Sequence, residues 1–226
     1  MSTTTPRTDQ PARHAPPGPA GLGVGMRLSL HPHTDDFVDV ILGALEDVEA
    51  AGLTDGLVVE TDEVSTYVGA TEAPAEQRLA AYLTTLVTAA SRRCSGGHVV
   101  AHVLLSRGCP GEVSCDLATT GLPHADPVDL PPSGLPAIAQ WSLYPLLDGD
   151  GGGGDHMAPI EEAIAAARRS GVATAPRHYA TRLAGDLSQV VATAVDAWAR
   201  VGATVPRVVT HLTLSLGSPS VTEETR

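Results

Sequence analysis

Two parts of this chain are near copies of one another, and this constrains the fold more than any other feature. Residues 29–32 read SLHP and residues 142–145 read SLYP. Residues 102–110 and 211–219 both begin with His and end with Pro after a strand-like run, and Thr66 corresponds to Thr181. The chain is therefore predicted to be a tandem repeat of one small unit.

The pattern of apolar residues predicts the same six elements in each copy. Alternating apolar residues indicate strands, apolar residues at helical spacing indicate helices, and short β-branched runs around a turn indicate a hairpin. In the first copy the predicted elements are a strand at 26–30, a helix at 34–51, a hairpin at 57–61 and 64–70, a helix at 74–93 and a strand at 98–106. In the second copy they are 137–143, 156–170, a hairpin at 171–175 and 178–183, 187–201 and 207–216.

The order β-α-β-β-α-β predicts an α+β fold: two tandem ferredoxin-like repeats with antiparallel sheets, each with two helices on one face. The other face of each sheet must be covered by the sister domain or by another subunit. The predicted domains are a disordered tail at 1–25, the first repeat at 26–112, a linker at 113–136, the second repeat at 137–219 and a C-terminal tail at 220–226.

Charge and cysteine content restrict the partners. The chain has 14 basic residues, all arginine, against 26 acidic residues, for a net charge of −12. This balance argues against nucleic acid and anionic membranes, whereas it permits a cationic small ligand and is also typical of a charge that serves only solubility. Sparse cysteines and the lack of a long apolar run predict a cytoplasmic protein. Cys94 is predicted to pack in the core, and the role of Cys109 stays open.

The stretch from His31 to Asp36 invites a metal hypothesis. His31 and His33 with Asp35 and Asp36 have ligand types found in zinc and manganese hydrolases. The second copy has Tyr144 and Leu146 in place of the histidines, which argues against a metal. The carboxylates are explained more simply by their position in the first turn of a helix, where the helix dipole stabilises negative charge.

Other motifs do not require catalysis. His102 and His211 occupy matching places in the last strand of each copy and are predicted to pack or lie at an interface. The run Gly149 to Gly154 is predicted to be a flexible insertion, because a phosphate-binding loop needs a lysine and the chain has none. The spacing supports no Ser-His-Asp or Cys-His arrangement. No catalytic residue, metal site or cofactor is predicted.

Four stretches together resemble the YkoF family of thiamine and hydroxymethylpyrimidine binding proteins: 27–37, 61–66, 108–111, and 142–145 with 178–180. The resemblance runs from about Met26 to Pro219 and implies a non-catalytic, cytoplasmic homodimer. Each repeat would bind thiamine or its pyrimidine half, in precursor salvage or in connection with a pyrimidine-precursor transporter. The resemblance implies contacts at Leu30 and Thr66 in the first pocket, and at Leu143 and Thr181 in the second.

Physical chemistry adds neighbouring residues to these pockets. A flat aminopyrimidine presents donors and acceptors at its edge, which the backbone of a strand end and a threonine hydroxyl can satisfy. His31, Asp35, Tyr144 and Tyr179 are included because a ring can stack on the ligand and a carboxylate can face a thiazolium. Packing alone also explains the tyrosines and threonines, so a metal-dependent hydrolase and a structural or regulatory dimer without a small ligand stay open as alternatives.

Overall fold

The predicted order of elements is present in full in the computed structural model, which describes residues 18–108, 123–146 and 157–220. The first repeat consists of β1 (Gly25–Pro32), α1 (Phe37–Ala50), β2 (Leu57–Thr61), β3 (Thr66–Ala70), α2 (Ala75–Arg93) and β4 (Val99–Arg107). The second consists of β5 (Pro136–Leu146), α3 (Met157–Arg169), β6 (Ala173–Arg177), β7 (Ala180–Asp186), α4 (Leu187–Gly202) and β8 (Arg207–Leu216). The predicted α+β fold is confirmed.

Local sequence explains the shape of β1 and the start of α1. Met26, Leu28 and Leu30 are buried on the helix side, whereas the intervening Arg27 and His31 are exposed, as expected when successive side chains of a strand point to opposite faces. The helix begins at Phe37 with Asp36 at the N-cap position, so the predicted N-cap at Thr34 was too early. Asp35 and Asp36 therefore precede the first turn, in which they were predicted to lie.

The strands form one continuous eight-stranded sheet, in the order β2-β3-β1-β4-β8-β5-β7-β6. The seam between the repeats is the antiparallel pairing of β4 with β8. His102 lies opposite Thr213 and His211 lies opposite Leu104, so the register maps onto itself when the repeats are exchanged. Because the two half-sheets lie side by side, the sister repeat does not cover the face opposite the helices, which we call the open face.

The four helices form one layer on the other side of the sheet. α1 packs on α2, α2 on α4 and α4 on α3, and the core lies between this layer and the strands. Its largest fully buried side chains include Trp141, Trp198, Tyr82, Leu79, Leu83, Leu86 and Leu212. Cys94 packs against this core, as predicted.

A buried arginine joins the two repeats beneath the helix layer. Arg107, at the end of β4, is 3% exposed, and its Nε lies 3.0 Å from Oε1 of Glu76 in α2. Its guanidinium also donates to the carbonyls of Ala199 in α4 and Pro123, and lies over the Trp198 ring at 5.7 Å. Burial lowers the pKa of Arg107, and the Glu76 carboxylate opposes that shift. This contact fixes α2 and α4 relative to the seam.

Among the described residues, no helix is long and apolar enough to cross a membrane. The glycine-rich run 149–154 and Cys109 lie outside the described residues. The domain boundaries at 26–112 and 137–219, the linker and the tails stay predictions.

Candidate functional site

In the first repeat, β1 extends past the end of its hairpin partner. The pairing of β1 with β3 ends where Leu28 meets Thr66, whereas β1 continues to Pro32 beside β4. Residues of an antiparallel strand direct their backbone groups to alternate sides. His33 N–H donates to the carbonyl of His98 at 2.9 Å, on the β4 side, so Leu30 directs its N–H and C=O to the side that β3 has vacated.

The second repeat has the same overhang. The pairing of β5 with β7 ends where Trp141 meets Thr181, and β5 continues beside β8 to Leu146. Trp141 and Leu143 are two residues apart, so both direct their backbone groups to the β7 side. Leu143 therefore occupies the place of Leu30, and the two repeats present matching backbone edges.

A cleft of about 590 Å³ lies at the overhang of the first repeat. This volume is within the roughly 300–1,000 Å³ that small-molecule sites occupy. The cleft is lined by Leu30, His31, Pro32, His33, Thr34, Asp35, Phe37 and Ile41. It thus brings together three of the predicted site residues, namely Leu30, His31 and Asp35.

The two threonines lie at the inner end of each overhang. Thr66 and Thr181 are 7% and 8% exposed and belong to the helix side of the sheet. Thr66 Oγ1 lies 3.0 Å from Thr61 Oγ1, and Thr66 is not among the residues that line the cleft. Leu30 lies two residues beyond the partner of Thr66, about 7 Å along the strand.

The hairpin that carries Thr66 is held by Asp62. Oδ1 of Asp62 accepts from the backbone N–H groups of Val64 and Ser65, both at 2.8 Å, and Oδ2 accepts from Arg27 at 2.8 Å. The bond from Arg27, followed by the two backbone bonds, lowers the pKa of Asp62 to about 2. The Asp62 carboxylate therefore stays ionised, and continues to hold the turn, at any pH well above that value.

Of the two predicted tyrosines, Tyr179 lies beside the overhang, because its backbone carbonyl accepts from the Ser142 hydroxyl at 3.0 Å, but neither tyrosine lines the cleft of the first repeat or the cavity of the second. Tyr144 follows Leu143 along β5, lies on the open face and is 49% exposed. Tyr179 lies in the β6–β7 turn with φ of 61° and is fully exposed. Their part in ligand binding stays a prediction.

Sequence reasoning missed Phe37, which lines the first cleft. It is the only phenylalanine of the chain, and its side chain is 51% exposed although apolar residues at helical spacing usually lie on the buried face. The scarcity of aromatic residues was the available signal, because the helical pattern alone does not show that α1 begins at the mouth of a cleft.

The histidines near the cleft contact other histidines. The His31 ring lies 5.4 Å from that of His102, and the His33 ring lies 4.5 Å from that of His98. Burial, followed by the nearby His102 and His33, lowers the pKa of His31. Within residues 18–108, 123–146 and 157–220, no three His, Cys, Asp or Glu side chains are arranged to hold a metal ion.

A second cavity, of about 520 Å³, lies at the opposite end of the second repeat. It is lined mainly by small and apolar residues of β5 and β7 and by Ser215 and Ser218. Its Asp186 is already engaged as the N-cap of α4 and in bonds with Ser133 and Gly134. Neither Leu143 nor Thr181 lines this cavity.

These features define the class of duplicated ferredoxin-like proteins, in which one sheet is built from two repeats with matching overhangs. A model of the family described as "YKOF-related Family" matches residues 23–112 and 136–221, so the chain belongs to the YkoF family. It is 32% identical over 201 residues to a Bacillus subtilis (strain 168) protein named "Putative HMP/thiamine-binding protein YkoF". That alignment covers 87% of this chain and 91% of the relative.

Proposed function

We propose that the protein binds thiamine or its hydroxymethylpyrimidine half without catalysis, with one pocket in each repeat. The observation that carries this proposal is the repeated overhang, in which Leu30 and Leu143 direct their backbone groups past the ends of β3 and β7, at Thr66 and Thr181. The name of the Bacillus subtilis relative supports the same ligands.

The chemistry of the ligand fits the first cleft. An aminopyrimidine edge carries a donor next to an acceptor, as does the backbone of Leu30. Phe37 supplies an exposed ring on which the pyrimidine can stack, and Asp35 supplies a carboxylate for the cationic thiazolium. His31 closes the side of the cleft nearest the open face. The hydroxyl of Thr66 offers one further bond at the inner end.

We also propose that the protein is a cytoplasmic homodimer that pairs through the open face. The four central strands, β1, β4, β8 and β5, contain no acidic residue, although the chain has 26. A second copy can therefore approach this face without the repulsion expected from a net charge of −12. Apolar side chains of Val100, Leu104, Val209 and Ile138 belong to the same face.

A binding protein without catalysis must pass its ligand to another component. The proposal therefore includes a role in precursor salvage, linked to a pyrimidine-precursor transporter, which the resemblance to the YkoF family implies.

Calorimetric titration with thiamine and with hydroxymethylpyrimidine tests the pockets. We expect two sites, and Thr66→Val and Thr181→Val each to weaken one of them about 5- to 10-fold, the equivalent of one hydrogen bond of about 1 kcal/mol. Thr61→Val is the matched control, because it removes the same Thr61–Thr66 bond yet keeps the Thr66 hydroxyl. A ligand that binds the native state must stabilise it. The absence of both binding heat and a thermal shift at millimolar ligand would therefore overturn the proposal.

A further inference from the structure

Five of the nine histidines form one cluster on the open face, at the centre of the sheet. The rings of His102 and His211 stack across the seam at 6.3 Å, and His31 lies 5.4 Å from His102. His33 neighbours His31 and packs on His98 at 4.5 Å. We call these five residues the histidine cluster.

The partners of the cluster are neutral. Hydroxyl groups contact three of the rings: Ser29 with His31 at 3.0 Å, Thr213 with His102 at 3.2 Å and Ser215 with His98 at 2.9 Å. Strands β1, β4, β8 and β5 contain no carboxylate, so His102 and His211 have no acidic residue on their own or adjacent strands, whereas Asp35 lines the same cleft as His31 and His33. An imidazolium formed here therefore gains no ion pair from these strands.

The charged and titratable groups of the open face lie on every strand. Arg27 of β1 is paired with Asp62 in the β2–β3 turn. Glu60 of β2 is two strands from β1, about 10 Å away. The remaining groups are Tyr67 of β3, Arg207 of β8, Tyr144 of β5, Arg182 of β7 and Arg177 of β6. Asp186, at the end of β7, lines a cavity with Ser215 and already accepts bonds from Ser133, Gly134 and Ser188.

We propose that the histidine cluster makes self-association pH-dependent, so that two copies pair at neutral pH and separate in mild acid. This inference rests on the proposed homodimer. His102 and His211 flank the seam in the middle of the eight strands, so any face-to-face pairing of two copies covers them. The dimer then brings both clusters together and removes them from water.

The sign follows from the cost of burying charge. Burial of an imidazole without an acidic partner lowers its pKa, so the dimer binds fewer protons than two monomers. Association is therefore strongest above the free imidazole pKa of about 6.5 and weakens as the pH falls below it. The lowered pKa of His31 in one copy already has this direction. An imidazole that is protonated in the monomer must lose its proton when the dimer buries it. Each such imidazole raises the dissociation constant of the dimer by up to about 10-fold for every pH unit below 6.5.

Sedimentation equilibrium of the full chain at about pH 8 and about pH 5.5, on either side of the imidazole pKa, tests the proposal. We expect the wild-type dissociation constant to rise at least about 100-fold in acid, because burial at the dimer interface disfavours the charged form of the imidazoles. The double variant His102→Gln/His211→Gln should show less than a tenth of that rise. His178→Gln, which removes an exposed histidine of the β6–β7 turn, is the matched control and should behave as wild type.

Each result decides a separate point. A monomer at both pH values overturns the homodimer and the switch together, whereas a dimer with the same dissociation constant at both overturns the switch alone. An acid response that is unchanged in the double variant overturns its assignment to His102 and His211.

Far-UV circular dichroism at both pH values verifies the fold, and the single variant His102→Gln replaces the double variant if the latter does not fold. Thiamine titration near pH 8 reports separately on the pockets.

Discussion

Leu30 and Leu143 illustrate at the residue scale how a site can be built from backbone. Their side chains are buried in the core, at 9% and 6% exposure, and would be leucine in a protein without any ligand. What distinguishes them is the end of the neighbouring strand two residues earlier, at Thr66 and Thr181. Side-chain substitution at these leucines consequently tests packing, and the binding proposal must be tested through its side-chain contacts.

Phe37 is the sharpest side-chain test of the first cleft. We predict that Phe37→Ala weakens thiamine binding at one site about 5- to 10-fold, because stacking between rings contributes about 0.5–1.5 kcal/mol beyond the buried area. The fold should be retained, because half of this side chain is exposed to solvent. Calorimetric titration measures the change. Leu42→Ala is the control, since Leu42 is 54% exposed on the same helix and does not line the cleft; equal losses in both variants would contradict a stacking role.

Leu30, His31 and Asp35 line one cleft because all three belong to one strand and the turn that follows it, and their part in ligand binding stays a prediction. The sequence could not place Tyr144 and Tyr179. Tyr144 directly follows Leu143 in β5, so the two side chains point to opposite faces of the sheet, and a shift of one residue in the register would exchange them. The exposure of Tyr179 depends on how far the β6–β7 turn projects.

At the scale of elements, the sequence predicted all four helices and eight strands, and β8 to the residue. Elements whose apolar residues recur regularly were predicted most accurately, because the spacing of these residues shows directly which side chains are buried. β6 is an edge strand that includes Pro176, and its predicted end fell short at 175. The fusion of the two sheets was not predicted, because pairing between β4 and β8 joins residues about 110 positions apart.

The contact of Arg107 with Glu76 joins α2 to the seam, and we predict that it is important for stability. Glu76→Gln leaves the Arg107 charge buried without a partner and should lower the free energy of unfolding by about 3 kcal/mol. Urea denaturation at neutral pH measures this loss. Asp47→Asn provides the comparison, because its ion pair with Arg93 is exposed and should contribute little. A similar loss in the two variants would show that burial of the pair is unimportant.

At the scale of the whole molecule, the seam makes one folding unit out of two repeats. β4 pairs with β8 along its entire length, from Val99 to Arg107. Without the second repeat, β4 would be an unprotected edge strand with a row of unpaired backbone groups. Arg107 would also lose its bond to Ala199 and its contact with Trp198. Each repeat therefore completes the sheet and the core of the other.

We predict that both repeats unfold in a single transition, and the position of the tryptophans allows this to be measured. Trp141 and Trp198 are the only tryptophans; both are buried, and both belong to the second repeat. Tryptophan fluorescence therefore follows the second repeat, whereas far-UV circular dichroism follows the helices of both. If the seam couples the repeats, the two urea transitions have one midpoint, and Glu76→Gln, a change in the first repeat, lowers both midpoints together. Separate midpoints, or a shift in Glu76→Gln that only circular dichroism detects, would show that the repeats fold independently despite the shared sheet.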